Sequence, residues 1–468
     1  MKRSVCIILL AGILTSMFAC GSTGDNETTT TDTEPVTTEV PKPSYNFNGR
    51  EYRILCRTDR AYEFDIEEET GDLVNDAVYK RNLKVESDYG VTIKPVTADG
   101  AWGDRQGFIE HISSSVLSND DTYDVVAGYR AYITSLITQG YLTDLSGANV
   151  DFSKPWWYKT FNENITIAGK TYFCLGDASL TMWENLEVIF FNRDLVKDNN
   201  LDSPYELVNS DNWYFDTLRK QCAVVTADLD GNDTLDENDR WGMIFYNIRD
   251  LATYLGNYYC TKDSDGFPVI SLYNDRMVES YSKLYDFLNS SNEARQFVPD
   301  VDQKIFSEGR ALYFQVPLRY AALMRDSDVD FGIVPFPKYD EGQSQYYTTV
   351  VDDHSVFCVP VSTKDLDFSM LILDALCETS NELVVPEYYD KALKVKYTRD
   401  AESEEMLNLA RDCMWFDFGF TYSQALGNIG SFLDILKGGS ADIASAWASK
   451  VAGYEAARET LIEYFKEN

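Results

Sequence analysis

Apolar and polar positions divide the chain into three unlike stretches. Val5 to Phe18 is an apolar run broken only by Cys6, Gly12, Thr15 and Ser16, with Lys2 and Arg3 before it and Ala19-Cys20 behind it. A basic start, an apolar run of this length and a small residue before the break are the layout of an export signal, too short to span a bilayer stably. Gly21 to Ser44 has no aromatic residue, and its only large apolar residues are Val36 and Val40. Such a segment cannot bury enough surface to offset its ordering entropy, so it is expected to be a disordered Thr-rich, acidic tether. From Tyr45 onward the periods become those of folded elements.

Glu51 to Arg57 predicts a short strand, and Asp76 to Tyr89 an amphipathic helix with Gly90 as its C-cap. Val91 to Pro95 predicts a second strand, Phe108 to Leu117 a helix, and Tyr123 to Ala127 a fully apolar strand of the kind buried in a parallel sheet. Ala131 to Gly140 predicts another helix, and Tyr141 to Leu145 a further strand. Strand and helix alternating at this spacing argue for right-handed βαβ units and an α/β lobe. At the far end, Ile443, Trp447, Val451, Tyr454, Leu461 and Tyr464 recur at helical spacing, which predicts a helix over Ala441 to Phe465.

Composition narrows the function classes. The chain carries 76 acidic against 41 basic residues, a formal net charge of -35. A surface this anionic disfavours nucleic acid and other anionic polymers and leaves neutral or cationic ligands. Outside the leader and Cys20 seven cysteines remain, an odd number with no CxxC spacing. Cys56, Cys174 and Cys358 sit in apolar runs and are expected to be buried free thiols. There are only two histidines, His111 and His354, and no HExxH, GxSxG, P-loop or GxGxxG, so no catalytic cofactor is expected.

One motif suggests a metal. Asp228, Asp230, Asn232, Asp236 and Asp239 place oxygen donors at positions 1, 3, 5, 9 and 12 of a loop, with the Thr234 carbonyl at position 7 and Leu235 as an aliphatic at position 8. Alternating oxygens of this kind turn inward on a structural Ca²⁺. Two positions depart from an EF-hand pattern: Asp233 stands where Gly makes the sharp turn, and position 12 is Asp rather than Glu, as in dockerin loops.

Several pieces resemble a known family. Ala19-Cys20 is similar to the bacterial lipobox, although Met17 and Phe18 depart from its usual residues. Asp76 to Asn82, the Tyr123-Asp-Val-Val strand, Gln139 to Ser146 and Lys154-Pro-Trp-Trp-Tyr158 resemble segments of the solute-binding lipoproteins of bacterial ABC importers, family 1, carbohydrate type. So do Gly169 to Tyr172, Phe191 to Leu195, Phe306 to Leu312 and Asp330 to Pro337. The resemblance implies an α/β, two-lobed periplasmic-binding-protein-like fold of type II, with a hinge crossed three times and a helical C-terminal segment. It implies a signal peptide over 1–19 and a tether over 20–44 from a lipidated Cys20. The first lobe would hold 45–177 plus 330–363, and the second 178–329 plus 364–468. Ligand would lie between the lobes at the C-terminal ends of strands.

On that frame, Trp183 and Glu184 fall at the first hinge crossing and Trp415 in a late cleft-lining segment, offering flat faces for a pyranose ring. Trp156 and Trp157 are expected to pack structurally. Arg57 and Asp59 follow the first strand, Tyr129 and Arg130 follow the YDVVAG strand, and Tyr246 follows Trp241 to Phe245. Gln315 and Arg319 follow the Ala311 strand, and Asp353 and His354 precede the Ser355 strand. All are candidate ligand contacts. The resemblance implies a monomer, palmitate-type acylation at Cys20, and attachment to the outer face of a bacterial cell membrane. Its function would be capture of a carbohydrate, an oligosaccharide in particular, for delivery to the permease of an ABC importer without catalysis. The alternatives are a peptide or cationic solute in the same fold, a secreted carboxylate-pair glycosidase, and a calcium-dependent adhesion module.

Overall fold

The computed structural model describes residues 45–324, 327–393 and 400–467; the leader, the tether and Cys20 lie outside them. In chain order the strands are β1 (Arg50–Arg57), β2 (Val91–Ala98), β3 (Val125–Tyr129), β4 (Glu187–Asn192), β5 (Trp241–Phe245) and β6 (Cys260–Lys262). They continue as β7 (Pro268–Ile270), β8 (Ala294–Gln296), β9 (Ala311–Pro317), β10 (Phe331–Val334) and β11 (Ser355–Cys358). Two sheets organise the molecule within one compact unit. The first has the order β11-β3-β1-β2, the second β10-β4-β9-β5-β8, and β6 and β7 form a separate hairpin.

The first sheet forms from the strands its sequence pattern predicts, with β3 running two residues later than the apolar run over Tyr123 to Ala127 and β2 extending three residues past Pro95. β1 pairs in parallel with β2 and β3, and β11 closes the edge antiparallel to β3. Between β1 and β2 runs α1 (Leu73–Tyr89), which starts three residues earlier than the apolar spacing indicates. Asp72 explains the start: its carboxylate accepts from the amides of Val74 and Asn75 at 3.0 and 3.1 Å. Gly90 ends α1 at φ 63, where a Cβ would meet the Asn46 side chain at 2.3 Å. α2 (Arg105–Ser118) joins β2 to β3.

Two expected elements are shorter. The helix over Ala131 to Gly140 shrinks to Arg130–Ile133 and a 3-10 turn, Thr134–Leu136. Ile133, Thr134, Ile137 and Thr138 crowd β-branched side chains into that run and weaken its helix propensity. Of the strand over Tyr141 to Leu145 only a single bridge remains, Leu142 to Pro360.

The second sheet is mixed. β4 runs antiparallel to β10 and β9, whereas β5 is parallel to β9 and β8. Every residue of β4, β5 and β9 is buried, as central strands covered on both faces require. The chain passes between the sheets three times: after β3 to reach β4, between β10 and β11, and between the helices Leu366–Val385 and Ala401–Asp412.

These crossings move two lobe boundaries. Phe331–Val334 falls within the stretch assigned to the first lobe, yet it is an edge strand of the second sheet, with Gly332 opposite Phe191. Leu366–Val385 falls within the stretch assigned to the second lobe, yet it packs on α1 and shares the first sheet's core through Phe368, Ile372, Leu373 and Leu376. Apolar strands and helices suit either sheet, so their composition carries no address. Helix Ile443–Glu467 forms where its periodicity predicts and packs Trp447 edge-on to Phe432 at 5.1 Å.

Phe161 and Phe173 from the first-lobe side meet Phe416 and Tyr422 at 4.8 and 5.7 Å. One flank of the interlobe space is therefore sealed by a continuous apolar core.

Candidate functional site: the interlobe cavity

A cavity of about 240 Å³ opens between the two sheets. Trp102 after β2, Tyr129 at the end of β3 and Asp352 just before β11 wall it on one side. Arg249 after β5, with Phe420, Gln424 and Asn428 from the C-terminal region, wall it on the other. Tyr129, Trp102 and Arg249 all sit at or just past the C-terminal end of a strand, where the chain leaves the sheet and side chains are free to face a ligand.

Both aromatic rings and hydrogen-bonding groups line the cavity. The Trp102 and Tyr129 rings lie 6.0 Å apart, and Arg105 covers Trp102 at 4.4 Å. Tyr129 donates its hydroxyl to Asp352 at 3.3 Å. Arg249 makes three contacts with Asp434, at 3.1, 3.2 and 2.6 Å. Burial, reinforced by Asp353, pushes the Asp352 carboxyl above the usual range, while Arg130 and Arg249 oppose that rise.

The residues singled out in the sequence separate into three settings. Tyr129 lines the cavity, and Arg130 lies buried beneath it, donating to Thr421 at 2.9 Å with its guanidinium 5.6 Å from the Phe420 ring.

A second group forms a charged network beside the cavity. Arg57, buried and 4.7 Å from the Tyr129 ring, holds Asp59 through two bonds of 3.0 and 2.6 Å and donates to the Asp353 carbonyl at 2.7 Å. The Asp353 carboxylate takes Arg60 at 2.9 Å and Arg319 at 3.5 Å. Arg319 also donates to the Tyr246 hydroxyl at 2.8 Å. Asp353 belongs to the first sheet's side and Arg319 to the second, so this ion cluster ties the lobes together. Gln315 accepts from the Tyr246 amide at 2.9 Å and donates to Tyr254 at 3.2 Å, below the same surface. Glu184 accepts from the Tyr62 hydroxyl, and burial pushes its carboxyl up to about 7.

The third group is packed away from the cavity. Trp183 is 5% exposed, between Tyr158 and Tyr389. Trp415 packs against Tyr258 and Tyr347, each at 5.6 Å. His354 is buried between Phe161 and Phe416 with its Nδ1 2.8 Å from the Val351 carbonyl, and burial holds it well below its usual pKa and neutral. Trp156 and Trp157 both donate to Asp374 at 2.7 Å, the structural role expected of them.

Trp102, Asp352, Arg249, Phe420 and Asn428 escaped sequence reasoning. Trp102 and Arg249 obey the same strand-end rule that singled out Arg57 and Tyr129. Asp352 is one residue from Asp353, and only the turn before β11 decides which of the two faces the cavity. Nothing in the sequence marks Phe420 or Asn428.

The acidic loop lies on the second-lobe side, ahead of β5. Asp228, Asp230 and Asp239 bring one carboxylate oxygen each to within 4.8 Å of one another. Asp233 adopts φ 62, the conformation a glycine would otherwise supply at position 6. Asn232 and Thr234 lie in the same turn, the Thr234 amide donating to the Asn232 side chain at 2.8 Å. Asp239 accepts from the amides of Leu229 and Asp236 at 2.7 and 2.8 Å, which holds its carboxyl below the usual range. All seven cysteines in the described residues are free, and Cys56, Cys174 and Cys358 are buried. Burial pushes the Cys56 thiol up to about 12, so it is a packing residue rather than a nucleophile.

No protein-family model matches the chain, and no curated protein matches it. Solved structures do. An ABC substrate-binding protein from Listeria monocytogenes in complex with cycloalternan aligns over 88% of this chain and 99% of its own, with TM-score 0.54 and 13% identity. The fold is that of ABC sugar-binding proteins. The GacH receptor of Streptomyces glaucescens, described unliganded and with acarbose, aligns over 88% and 99% at TM-score 0.55 and 14% identity. A sugar transporter of Rhizobium etli in an open conformation aligns over 87% and 99% at TM-score 0.57 and 13% identity. The two-lobed α/β architecture and the helical C-terminal segment expected from the sequence are thus present. By their names these neighbours are a substrate-binding protein, a receptor and a sugar transporter.

Proposed function

We propose that the chain is a substrate-binding protein that captures a carbohydrate, an oligosaccharide in particular, in the interlobe cavity and delivers it to the permease of an ABC importer. The observation that carries this reading is the cavity itself. It lies between two α/β lobes at strand ends, with Trp102, Tyr129 and Phe420 for the apolar face of a sugar ring and Asp352, Gln424 and Asn428 for its hydroxyls. The same wall argues for binding without catalysis. Asp352 is the single carboxylate among the described lining residues, whereas glycoside hydrolysis ordinarily uses a facing pair.

The leader fits export and acylation at Cys20, with the tether holding a monomer at the outer face of a bacterial membrane. The Asp228–Asp239 loop would hold a structural Ca²⁺ through Asp228, Asp230, Asp239 and neighbouring oxygens, stapling a surface turn on the second-lobe side.

A thermal-shift screen of the purified protein against neutral, amino and acidic glycans, peptides and polyamines tests the reading. A ligand specific to the folded state, at 100 times its Kd, adds about 2.7 kcal/mol. A shift confined to glycans supports the proposal, and a response only to peptides overturns it. The same screen with and without Ca²⁺ after chelation tests the loop: an unchanged midpoint removes the metal from the account.

A further inference from the structure

The space between the lobes is a pocket rather than a through-groove. On one side of the cavity Arg57 lies over the Tyr129 ring at 4.7 Å, and Asp353 takes Arg60 at 2.9 Å and Arg319 at 3.5 Å. Arg319 in turn donates to the Tyr246 hydroxyl at 2.8 Å. On the other side His354 is buried against Phe161 and Phe416, whose own rings lie 4.8 Å apart, and Phe173 meets Tyr422 at 5.7 Å. Beneath, Arg130 donates to Thr421 at 2.9 Å, both residues 2% exposed. On all three sides a contact joins the first-lobe side directly to the second. Groups packed against one another leave no room for a sugar ring between them. The cavity therefore ends at the ion cluster, at the aromatic core and at the Arg130 floor.

What remains open is a mouth beside Trp102, which is 44% exposed, with Gln424 and Asn428 exposed on the opposite wall. The volume behind it is about 240 Å³. Pockets that bury most of a drug-sized ligand run from about 300 to 1,000 Å³. A volume below that range takes one pyranose ring and part or all of a second, and a third has to stand outside the mouth. A ring held inside stacks on Trp102, Tyr129 or Phe420 and is shielded from water. A ring left outside buries little apolar surface and adds little affinity.

We propose that the cavity takes one end of a glycan, its terminal one or two units, and that any further units project into solvent past Trp102. This rests on the carbohydrate-binding reading and names the length and the part of the sugar chain that the site selects.

The test is calorimetric titration of the purified protein with linear oligosaccharides of one to five units in four series: α-1,4-linked glucose, β-1,4-linked glucose, β-1,4-linked xylose and β-1,4-linked N-acetylglucosamine. In the series that binds, affinity reaches its full value by two units and changes by less than ~5-fold from two to five. A rise of ~5-fold or more over that range means that further rings are held between the lobes. It overturns the end-on seat while leaving the carbohydrate reading standing. A ring-closed α-1,4-linked glucose hexamer, which has no end to insert, fails to bind; saturable binding of that ring overturns the seat in the same way. The comparison uses the wild-type protein throughout, so no variant has to fold. Silence toward all four series overturns the carbohydrate reading, and the inference with it.

Discussion

The ion pair between Arg319 and Asp353 lies where the two lobes meet, 3.5 Å apart with side chains 24% and 19% exposed. In an effective dielectric near 20 the gross attraction at that distance is about 5 kcal/mol. Two effects reduce it. Arg60 already holds the other Asp353 oxygen at 2.9 Å and repels Arg319, and both partners lose hydration on pairing. What survives is a coupling of about 1–2 kcal/mol, larger than an exposed pair and well short of the gross value. The perturbation is a double-mutant cycle, Arg319→Met and Asp353→Asn, read by urea unfolding at pH 7. The cycle isolates the pair from the bonds each residue makes elsewhere, Arg319 to Tyr246 and Asp353 to Arg60. Raising the salt should trim the coupling without abolishing it, because both groups are mostly shielded. A coupling below about 0.3 kcal/mol would refute the reasoning and leave the contact as mere proximity.

Three further outcomes follow from particular contacts. Asp72→Ala removes the acceptor for two amides at the start of α1 and should cost about 1 kcal/mol by chemical denaturation, with little effect on ligand affinity. Glu184 has a folded pKa of about 7, raised above its unfolded value near 4.5. Its contribution is therefore fully present below the unfolded value and is lost as pH rises through the folded one. Glu184→Gln should flatten that decline by about 2 kcal/mol in a pH series of unfolding midpoints, after a discount for partial exposure, and an unchanged slope would count against it. Phe161→Ala empties a fully buried site packed on Phe416, Phe173 and His354, and should cost about 3–5 kcal/mol. Because that site joins the lobes, their unfolding should stay a single transition in wild type and separate in the variant.

Much of the first lobe was legible because its signals are local. The apolar strand expected over Tyr123 to Ala127 and formed as Val125–Tyr129, the Gly90 cap and the helix between β1 and β2 each depend on residues within one turn or strand of themselves. Lobe membership was not legible, since Phe331–Val334 and Leu366–Val385 are apolar in ways that suit either sheet. The candidate site was legible only where the strand-end rule reaches. That rule located Arg57, Tyr129, Tyr246 and Arg319, whose side chains do meet in and beside the cavity. It does not say which way a tryptophan faces: Trp183 turned into Tyr158 and Tyr389, and the exposed Trp102 went unnoticed. Phe420 and Asn428 come from a segment whose position against β3 is set by long-range packing of Phe416 and Tyr422, which no local pattern records.

The central claim is that a glycan sits reversibly between Trp102 and Phe420 and leaves unchanged. Its most direct test is calorimetric titration of wild type and Trp102→Ala with a glycan panel, with the recovered glycan analysed by chromatography. The account predicts saturable binding of one glycan family, intact sugar on recovery, and an affinity loss of about 1–2 kcal/mol on removing the ring. Glycan cleavage during the titration, or no binding by any glycan, would contradict it.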